Sequence, residues 1–265
     1  MSAVTDAFTR ARDEGRAALV IYLPAGFPDM ETSRACLEAA ADSGADVLEV
    51  GFPFSDPMMD GPIIQAASQQ ALDHGYGVAD DLDMCRSLTG EVDVPALVMT
   101  YVTIPDTRGF ARFADEAAGA GLAGAILPDL PAGESDPWVR EARRTGLDTV
   151  FLASSVSTDD RIDRIAEVST GFVYAVGLMG VTGVKDVASD DSRTLVERIR
   201  SRTSTPVAVG LGVKTRQQAA EVASFADGVI VGSAVVQAAS DGEPAGAAHR
   251  VADLVRELRA GVGSR

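Results

Sequence analysis

The sequence has few cysteines, few histidines and no long apolar run. Its 265 residues include two cysteines, Cys36 and Cys85, and two histidines, His74 and His249. Two cysteines in helix-like segments do not make a disulfide framework, so we expect buried thiols in a reducing compartment. Two distant histidines do not predict a metal site. Because the sequence has no apolar run of membrane-spanning length and no N-terminal apolar core of a signal peptide, we expect a cytoplasmic protein.

Basic residues are also in deficit. The chain has 23 Lys and Arg residues against 39 Asp and Glu residues, a formal net charge of −16. Nucleic acid and anionic membrane surfaces are therefore poor partners. A small phosphate compound is still a possible ligand, provided that backbone N–H groups or a helix N-terminus bind it locally.

Short apolar segments alternate with amphipathic segments along the chain. The predicted strands cover residues 18–23, 46–50, 95–101, 122–127, 148–153, 171–176, 206–210 and 227–231. The predicted helices cover residues 2–14, 30–43, 62–74, 78–89, 109–119, 134–145, 158–168, 191–202, 215–224 and 245–260. The strands are apolar throughout, as expected when both faces of a sheet are buried. Strict alternation indicates a parallel sheet with right-handed crossovers.

Eight strand–helix units in a chain of this length predict an α/β fold, a closed (β/α)₈ TIM barrel. An extra helix precedes the first strand, and the long connection between the second and third strands predicts an insertion there. A doubly wound open sheet is the alternative, but eight equal units favour closure. No shift in composition marks a domain boundary, so we expect residues 1–265 to form one domain. In such barrels the functional site lies at the C-terminal ends of the strands.

The stretch 49–62, EVGFPFSDPMMDGP, follows the second predicted strand and contains three carboxylates. Glu49 lies inside an apolar strand, where a buried carboxylate is costly or has a raised pKa. Asp56 and Asp60 follow in the loop, within reach of the same strand end. Such a cluster is typical of acid–base catalysis. The alternative is structural: Glu49 paired with a basic side chain inside the barrel, and the two aspartates serving as turn residues.

Three glycine-bearing loops follow the last three predicted strands. Glycine lets backbone N–H groups approach an anion closely, and loops after strands seven and eight are the usual phosphate position in this fold. Tight turns are the alternative. The segment 177–191 is long enough for a mobile lid, or else an ordinary solvated loop. The residues of interest in these loops are Gly180, Thr182, Gly183, Gly210, Gly212, Gly232 and Ser233.

Large side chains at predicted strand ends are candidates to line an apolar pocket, although core packing explains each of them singly. These are Tyr22, Phe52, Tyr101, Leu127 and Tyr174.

Several motifs together resemble the α chain family of tryptophan synthase. They are LPAGFPD at 23–29, PFSDPMMDGP at 53–62, MGVTG at 179–183, GLGV at 210–213 and DGVIVGSA at 227–234. The resemblance covers nearly the whole chain. It implies a (β/α)₈ barrel that splits indole-3-glycerol phosphate into indole and glyceraldehyde 3-phosphate by retro-aldol cleavage, without a metal or organic cofactor. It also implies a pyridoxal-phosphate β chain as partner, in an α₂β₂ assembly.

The same resemblance implies roles for individual residues. Glu49 matches the general acid/base, which protonates the indole ring and removes the glycerol hydroxyl proton. Asp60 matches the carboxylate that holds the indole N–H, and Tyr174 matches a tyrosine near the glycerol moiety. The matches to the phosphate cradle are Gly183, Gly212, Gly232 and Ser233.

The chain departs from the family pattern after the third strand. The family usually carries Asn-Pro there, in a loop that faces the β chain, whereas this chain has Thr103-Ile104-Pro105. Gly177 also replaces a common serine. We therefore expect looser docking to a β chain. The alternatives are a stand-alone indole-glycerol-phosphate lyase, a slow chain that mainly activates a β chain, or, by fold analogy alone, another phosphate-binding isomerase.

Overall fold

A closed barrel of eight parallel strands forms the centre of the protein, and the predicted closure is confirmed. The computed structural model describes residues 2–177, 190–210 and 212–263. The strands pair in chain order, and the eighth pairs with the first. They are β1 (Ala18–Pro24), β2 (Val47–Gly51), β3 (Ala96–Met99), β4 (Gly124–Ile126), β5 (Asp148–Ser154), β6 (Val173–Val176), β7 (Val207–Gly210) and β8 (Gly228–Val231).

Helices surround the barrel at the predicted places. In the described part of the chain they are α1 (Ala3–Asp13), α2 (Met30–Asp42), α3 (Pro62–Asp73), α4 (Val78–Glu91), α5 (Thr103–Arg108), α6 (Phe110–Gly119), α7 (Asp136–Thr145), α8 (Asp159–Val168), α9 (Asp190–Arg200), α10 (Arg216–Ala223), α11 (Ser233–Ser240) and α12 (Ala247–Val262). The extra helix α1 and the insertion after β2, which contains α3, are confirmed. Helices α5 and α11 are absent from the predicted helix spans, because six and eight residues are too few for a periodic pattern.

Side chains of each strand alternate between two cores. Inside the barrel, Val20, Val47 and Leu97 belong to one buried cluster. Leu48 and Val50 point outward and belong to a larger cluster between the strands and the helices. This period of two explains why the strand sequences are apolar at every position.

Helix α1 closes the N-terminal end of the barrel. Ser2 caps it by accepting a 3.2 Å hydrogen bond from the Thr5 N–H. The ring of Phe8 enters the barrel, and its centroid lies 5.3 Å from that of Phe172. A side chain at Gly228 would place its Cβ 2.7 Å from the Phe8 ring, so glycine makes room for this contact. With this end covered, the C-terminal end of the barrel is the one available for a ligand.

The cysteines are in the state that the composition predicts. Cys36 and Cys85 are buried and have free thiols. None of the helices in the described ranges combines the length and apolar character that a membrane crossing requires.

Candidate active site

A cavity of about 340 Å³ opens at the C-terminal end of the barrel. Residues on the inner faces of seven strands border it: Tyr22, Glu49, Met99, Leu152, Tyr174, Gly210 and Ile230. The loops after β2, β7 and β8 supply much of the remaining wall. The predicted position of the site, at the C-terminal strand ends, therefore holds a real cavity.

Glu49 faces this cavity because it lies two residues after the inward-facing Val47. Its register partners on the neighbouring strands are Tyr22 and Leu97. The side chain is fully buried, and neither carboxylate oxygen has a hydrogen-bond partner among the described residues. Burial raises the pKa of Glu49 to about 8. No described lysine or arginine pairs with it, so within the described ranges the structural alternative of an internal ion pair does not hold.

Asp60 reaches the same cavity from the loop after β2. Its Oδ2 accepts a hydrogen bond of 3.1 Å from the Tyr101 hydroxyl. Burial raises the pKa of Asp60, and the hydrogen bond from Tyr101 opposes that rise. Gln65 of α3 fixes the loop by donating from Nε2 to the Asp60 carbonyl oxygen over 2.9 Å. Pro62 begins α3, as predicted, at the position where a missing N–H has no consequence.

Two buried tyrosines complete the acidic end of the cavity. Burial, reinforced by the nearby carboxylates Glu49 and Asp60, raises the pKa values of Tyr22 and Tyr174 well above the ordinary range. Both phenols therefore stay neutral near pH 7. Each hydroxyl lies beside a glycine of the next strand: a Cβ built on Gly51 would be 2.3 Å from the Tyr22 oxygen, and one on Gly210 2.4 Å from that of Tyr174.

The glycine-bearing loops also bring backbone to this cavity. Gly212, whose φ is +66°, Gly232 and Ser233 all border it. Ser233 is the first residue of α11, and the first N–H groups of a helix have no partner within the helix. Such an end is suited to an anion. Thr182 and Gly183, together with Gly180 and most of the predicted lid, lie outside the described residues.

Four of the residues predicted from the sequence lie elsewhere. Asp56 is exposed and borders a different cavity on the outer side of the loop, so it does not join Glu49 and Asp60. Phe52 and Leu127 pack in the outer core, because alternation turns them away from the barrel interior. Tyr101 does not border the cavity; its hydroxyl lies behind Asp60.

Other bordering residues were not predicted. Met99, Leu152 and Ile230 follow from counting in steps of two along their strands, a signal that the sequence contains. Lys214 also borders the cavity, two residues after Gly212. The one sequence signal for Lys214 was its position next to a glycine-bearing loop suited to phosphate.

The site therefore combines two kinds of chemistry. A protonated carboxyl group and a second carboxylate face an apolar space, which suits proton transfer to and from an apolar ring. Backbone N–H groups of the same cavity suit a phosphate.

Comparison with known proteins agrees with this geometry. The model of the family described as "Tryptophan synthase alpha chain" matches residues 8–262. The chain is 48% identical over 256 residues to the tryptophan synthase alpha chain of Leifsonia xyli, covering 97% of this chain and 98% of that one. It is also similar to a structure of Mycobacterium tuberculosis tryptophan synthase, with a TM-score of 0.91, 42% identity and 98% of both chains covered. Tryptophan synthase subunit alpha of Legionella pneumophila gives a TM-score of 0.90 at 32% identity, with 99% and 98% covered.

Proposed function

This chain belongs to the tryptophan synthase alpha chain family and is a lyase that cleaves indole-3-glycerol phosphate, and we propose that Glu49 and Asp60 carry out that cleavage. The products are indole and glyceraldehyde 3-phosphate, and the reaction is the α reaction of tryptophan biosynthesis. One observation supports the assignment most strongly: the buried carboxyl group of Glu49 faces the cavity without a hydrogen-bond partner among the described residues.

Glu49 acts first as an acid and then as a base. With a pKa of about 8 it is largely protonated near neutral pH. It gives its proton to the ring carbon that bears the glycerol phosphate, which leaves the ring cationic at nitrogen. The new carboxylate then accepts the proton of the adjacent glycerol hydroxyl. The carbon–carbon bond breaks, its electron pair returns to the ring, and Glu49 is protonated again.

Asp60 stabilises the cationic ring. A carboxylate beside the indole N–H offsets the positive charge that develops at nitrogen, and such a contact is worth several kcal/mol in a site that excludes water. The hydrogen bond from Tyr101 holds the carboxylate in place and favours its anionic form. The neutral phenols Tyr22 and Tyr174 lie beside the reacting groups, where we place the glycerol moiety next to Tyr174.

The phosphate binds at the N-terminus of α11. Gly212 and Gly232 leave room for the anion beside the backbone, and Ser233 adds a hydroxyl donor. We also assign Thr182 and Gly183 to this cradle on the resemblance alone, since they lie outside the described residues.

The protein works with the β chain of tryptophan synthase, to which we propose that it delivers indole in an α₂β₂ assembly.

We further infer that the chain is a single domain, since α1 closes the barrel from below and α12 packs against α2 and α10. The two buried free thiols support a cytoplasmic location.

The experiment that tests this function is an indole-release assay. The purified chain is incubated with indole-3-glycerol phosphate, with and without its cognate β chain, and indole is measured. Release by the isolated chain, increased by the β chain, is expected. Strong release that the β chain does not change favours a stand-alone lyase. That alternative is suggested by Thr103-Ile104-Pro105, which stands where the family usually has Asn-Pro. Slow release in both cases, together with a β reaction that the chain accelerates, favours the activator role. No release in either case contradicts the proposal.

A further inference from the structure

Lys214 is the one basic side chain among the described residues that border the cavity. The other ionisable groups there are acidic or phenolic: Glu49, Asp60, Tyr22 and Tyr174. A chain with a formal net charge of −16 repels a phosphate dianion at long range. A local positive charge on the cavity wall therefore serves to attract and hold the phosphate.

The position of Lys214 matches that use. It follows Gly212 by two residues, in the loop between β7 and α10, and it borders the same cavity as Gly232 and Ser233. The backbone of this loop is fixed, because the Lys214 N–H donates a 2.8 Å hydrogen bond to Oε1 of Gln218. The loop thus holds the lysine near the N-terminus of α11.

Lys214 takes no part in the ion pairs formed among the described residues. Among the described residues every ion pair has an arginine as its cation, except the one between His249 and Asp253. The sequence contains only one other lysine, Lys185, which lies outside the described residues. Lysine is a compact point charge that binds phosphate without the fixed planar geometry of arginine.

We propose that the ammonium group of Lys214 binds the phosphate group of the substrate and supplies the positive charge that the backbone cradle lacks. This inference rests on the proposed function for the identity of the substrate, but its ligand chemistry is more general: a phosphate monoester dianion. Lys214 is a binding residue, so it sets the affinity for the phosphate end and leaves the proton transfers to Glu49.

The test compares matched removals of one positive charge. Lys214→Met removes the charge at the cavity, and Arg216→Met removes one two residues away, on a side chain that does not border the cavity. Lys214→Arg retains the charge. Calorimetric titration with glycerol 3-phosphate measures binding of the phosphate group without any reaction, and the indole-release assay gives KM and kcat.

We expect Lys214→Met to weaken glycerol 3-phosphate binding and to raise KM about tenfold, the typical effect of one charge-assisted hydrogen bond, with kcat unchanged. Lys214→Arg keeps most of the affinity, and Arg216→Met behaves as wild type. The wild-type affinity falls more steeply with added NaCl than that of Lys214→Met. Unphosphorylated indole-3-glycerol is handled equally by wild type and Lys214→Met.

Two results overturn the inference: unchanged binding in Lys214→Met, or equal losses in Lys214→Met and Arg216→Met, which would indicate a general charge effect. Its failure is distinguishable from failure of the proposed function. If the wild-type chain releases indole and Lys214→Met keeps the wild-type KM, the proposed reaction holds and the inference about Lys214 fails. If the wild-type chain binds glycerol 3-phosphate through Lys214 but releases no indole, the inference about Lys214 holds and the proposed reaction fails.

Discussion

The hydroxyl group of Tyr101 donates a 3.1 Å hydrogen bond to Oδ2 of Asp60. The Tyr101 hydroxyl oxygen in turn accepts a 2.8 Å hydrogen bond from the N–H of Met59, the residue before Asp60. Phe54 stacks on the Tyr101 ring, with centroids 5.1 Å apart. Tyr101 thus holds both the carboxylate and the backbone of its loop without bordering the cavity, and we regard it as a residue that positions Asp60.

Replacing Tyr101 by Phe should lower kcat for indole release about tenfold or more, with a smaller change in KM. The substitution removes a hydrogen bond to a charged group, typically worth about 1.5–3 kcal/mol, and leaves the Met59 N–H without its acceptor. Steady-state kinetics measure the effect, and Tyr76→Phe, in a tyrosine outside the cavity, is the control. Equal kinetics for the two variants would show that Tyr101 does not position Asp60.

Glu49→Gln should abolish indole release, and Asp60→Asn should reduce it severely. Loss of a general acid/base typically costs about two to four orders of magnitude in rate. Asp56→Asn is a matched control, because Asp56 is an exposed carboxylate of the same loop that does not border the cavity. Circular dichroism checks that all three variants are folded. Near-wild-type turnover in Glu49→Gln would remove Glu49 from its assigned role.

The raised pKa of Glu49 also predicts a change in stability with pH. Its pKa is about 8 in the folded state against 4.5 for the ordinary carboxyl group, so the folded protein holds this proton more tightly. The contribution of Glu49 to the free energy of unfolding is therefore fully present below pH 4.5 and is lost as the pH rises through about 8. Glu49→Gln should gain roughly 3 kcal/mol over wild type between pH 5 and pH 8.

Urea unfolding of both proteins at a series of pH values measures this difference, since other titrating groups affect both equally. A difference that stays constant with pH would mean that Glu49 ionises normally. In the indole-release assay, wild-type kcat/KM should fall as the pH rises above about 8, because the reaction begins from the protonated acid.

Gly51→Ala should disturb the site through Tyr22. The new Cβ would lie 2.3 Å from the Tyr22 hydroxyl oxygen and 2.7 Å from two ring carbons, so the buried ring must move. Overpacking of this kind costs about 1–3 kcal/mol of stability, and displacement of the phenol beside Glu49 should lower activity as well. Gly133→Ala, where a Cβ meets nothing within 4 Å, is the control. Unchanged thermal stability and activity in Gly51→Ala would contradict the contact.

Docking of the β chain should depend on Thr103. This residue is exposed at the start of α5, whereas Pro105 is buried and Ile104 packs against the core. A threonine has fewer donors and acceptors than the asparagine common in the family. Thr103→Asn should strengthen β-chain binding about tenfold, as one additional buried hydrogen bond would. Calorimetric titration measures the affinity, and an unchanged value would mean that Thr103 does not control docking.

Much of the fold was determined by local sequence. Apolar strands alternating with amphipathic helices specify a parallel sheet, because each pattern is contained in its own short segment. The number of such units, eight of equal size, indicates a closed barrel. Glu49 was found in the same way, because a carboxylate inside an apolar strand is anomalous wherever the strand lies. Asp60 was found because it follows in the adjoining loop, within reach of the same strand end. The glycine-bearing loops Gly212 and Gly232-Ser233 were also visible as local features, and the structure brings them to one cavity.

The tertiary structure decided which neighbours in sequence became neighbours in space. Asp56 and Asp60 are four residues apart in one loop, yet only Asp60 turns inward, where Tyr101 from the segment after β3 provides its hydrogen bond. Tyr22 lies within β1 and faces the cavity, whereas Phe52 directly follows β2 and alternation directs it into the outer core. Lys214 became significant only when the pairing of β7 with β8 placed their loops around one cavity. Contacts between distant strands depend on register and closure, which no short stretch of sequence contains.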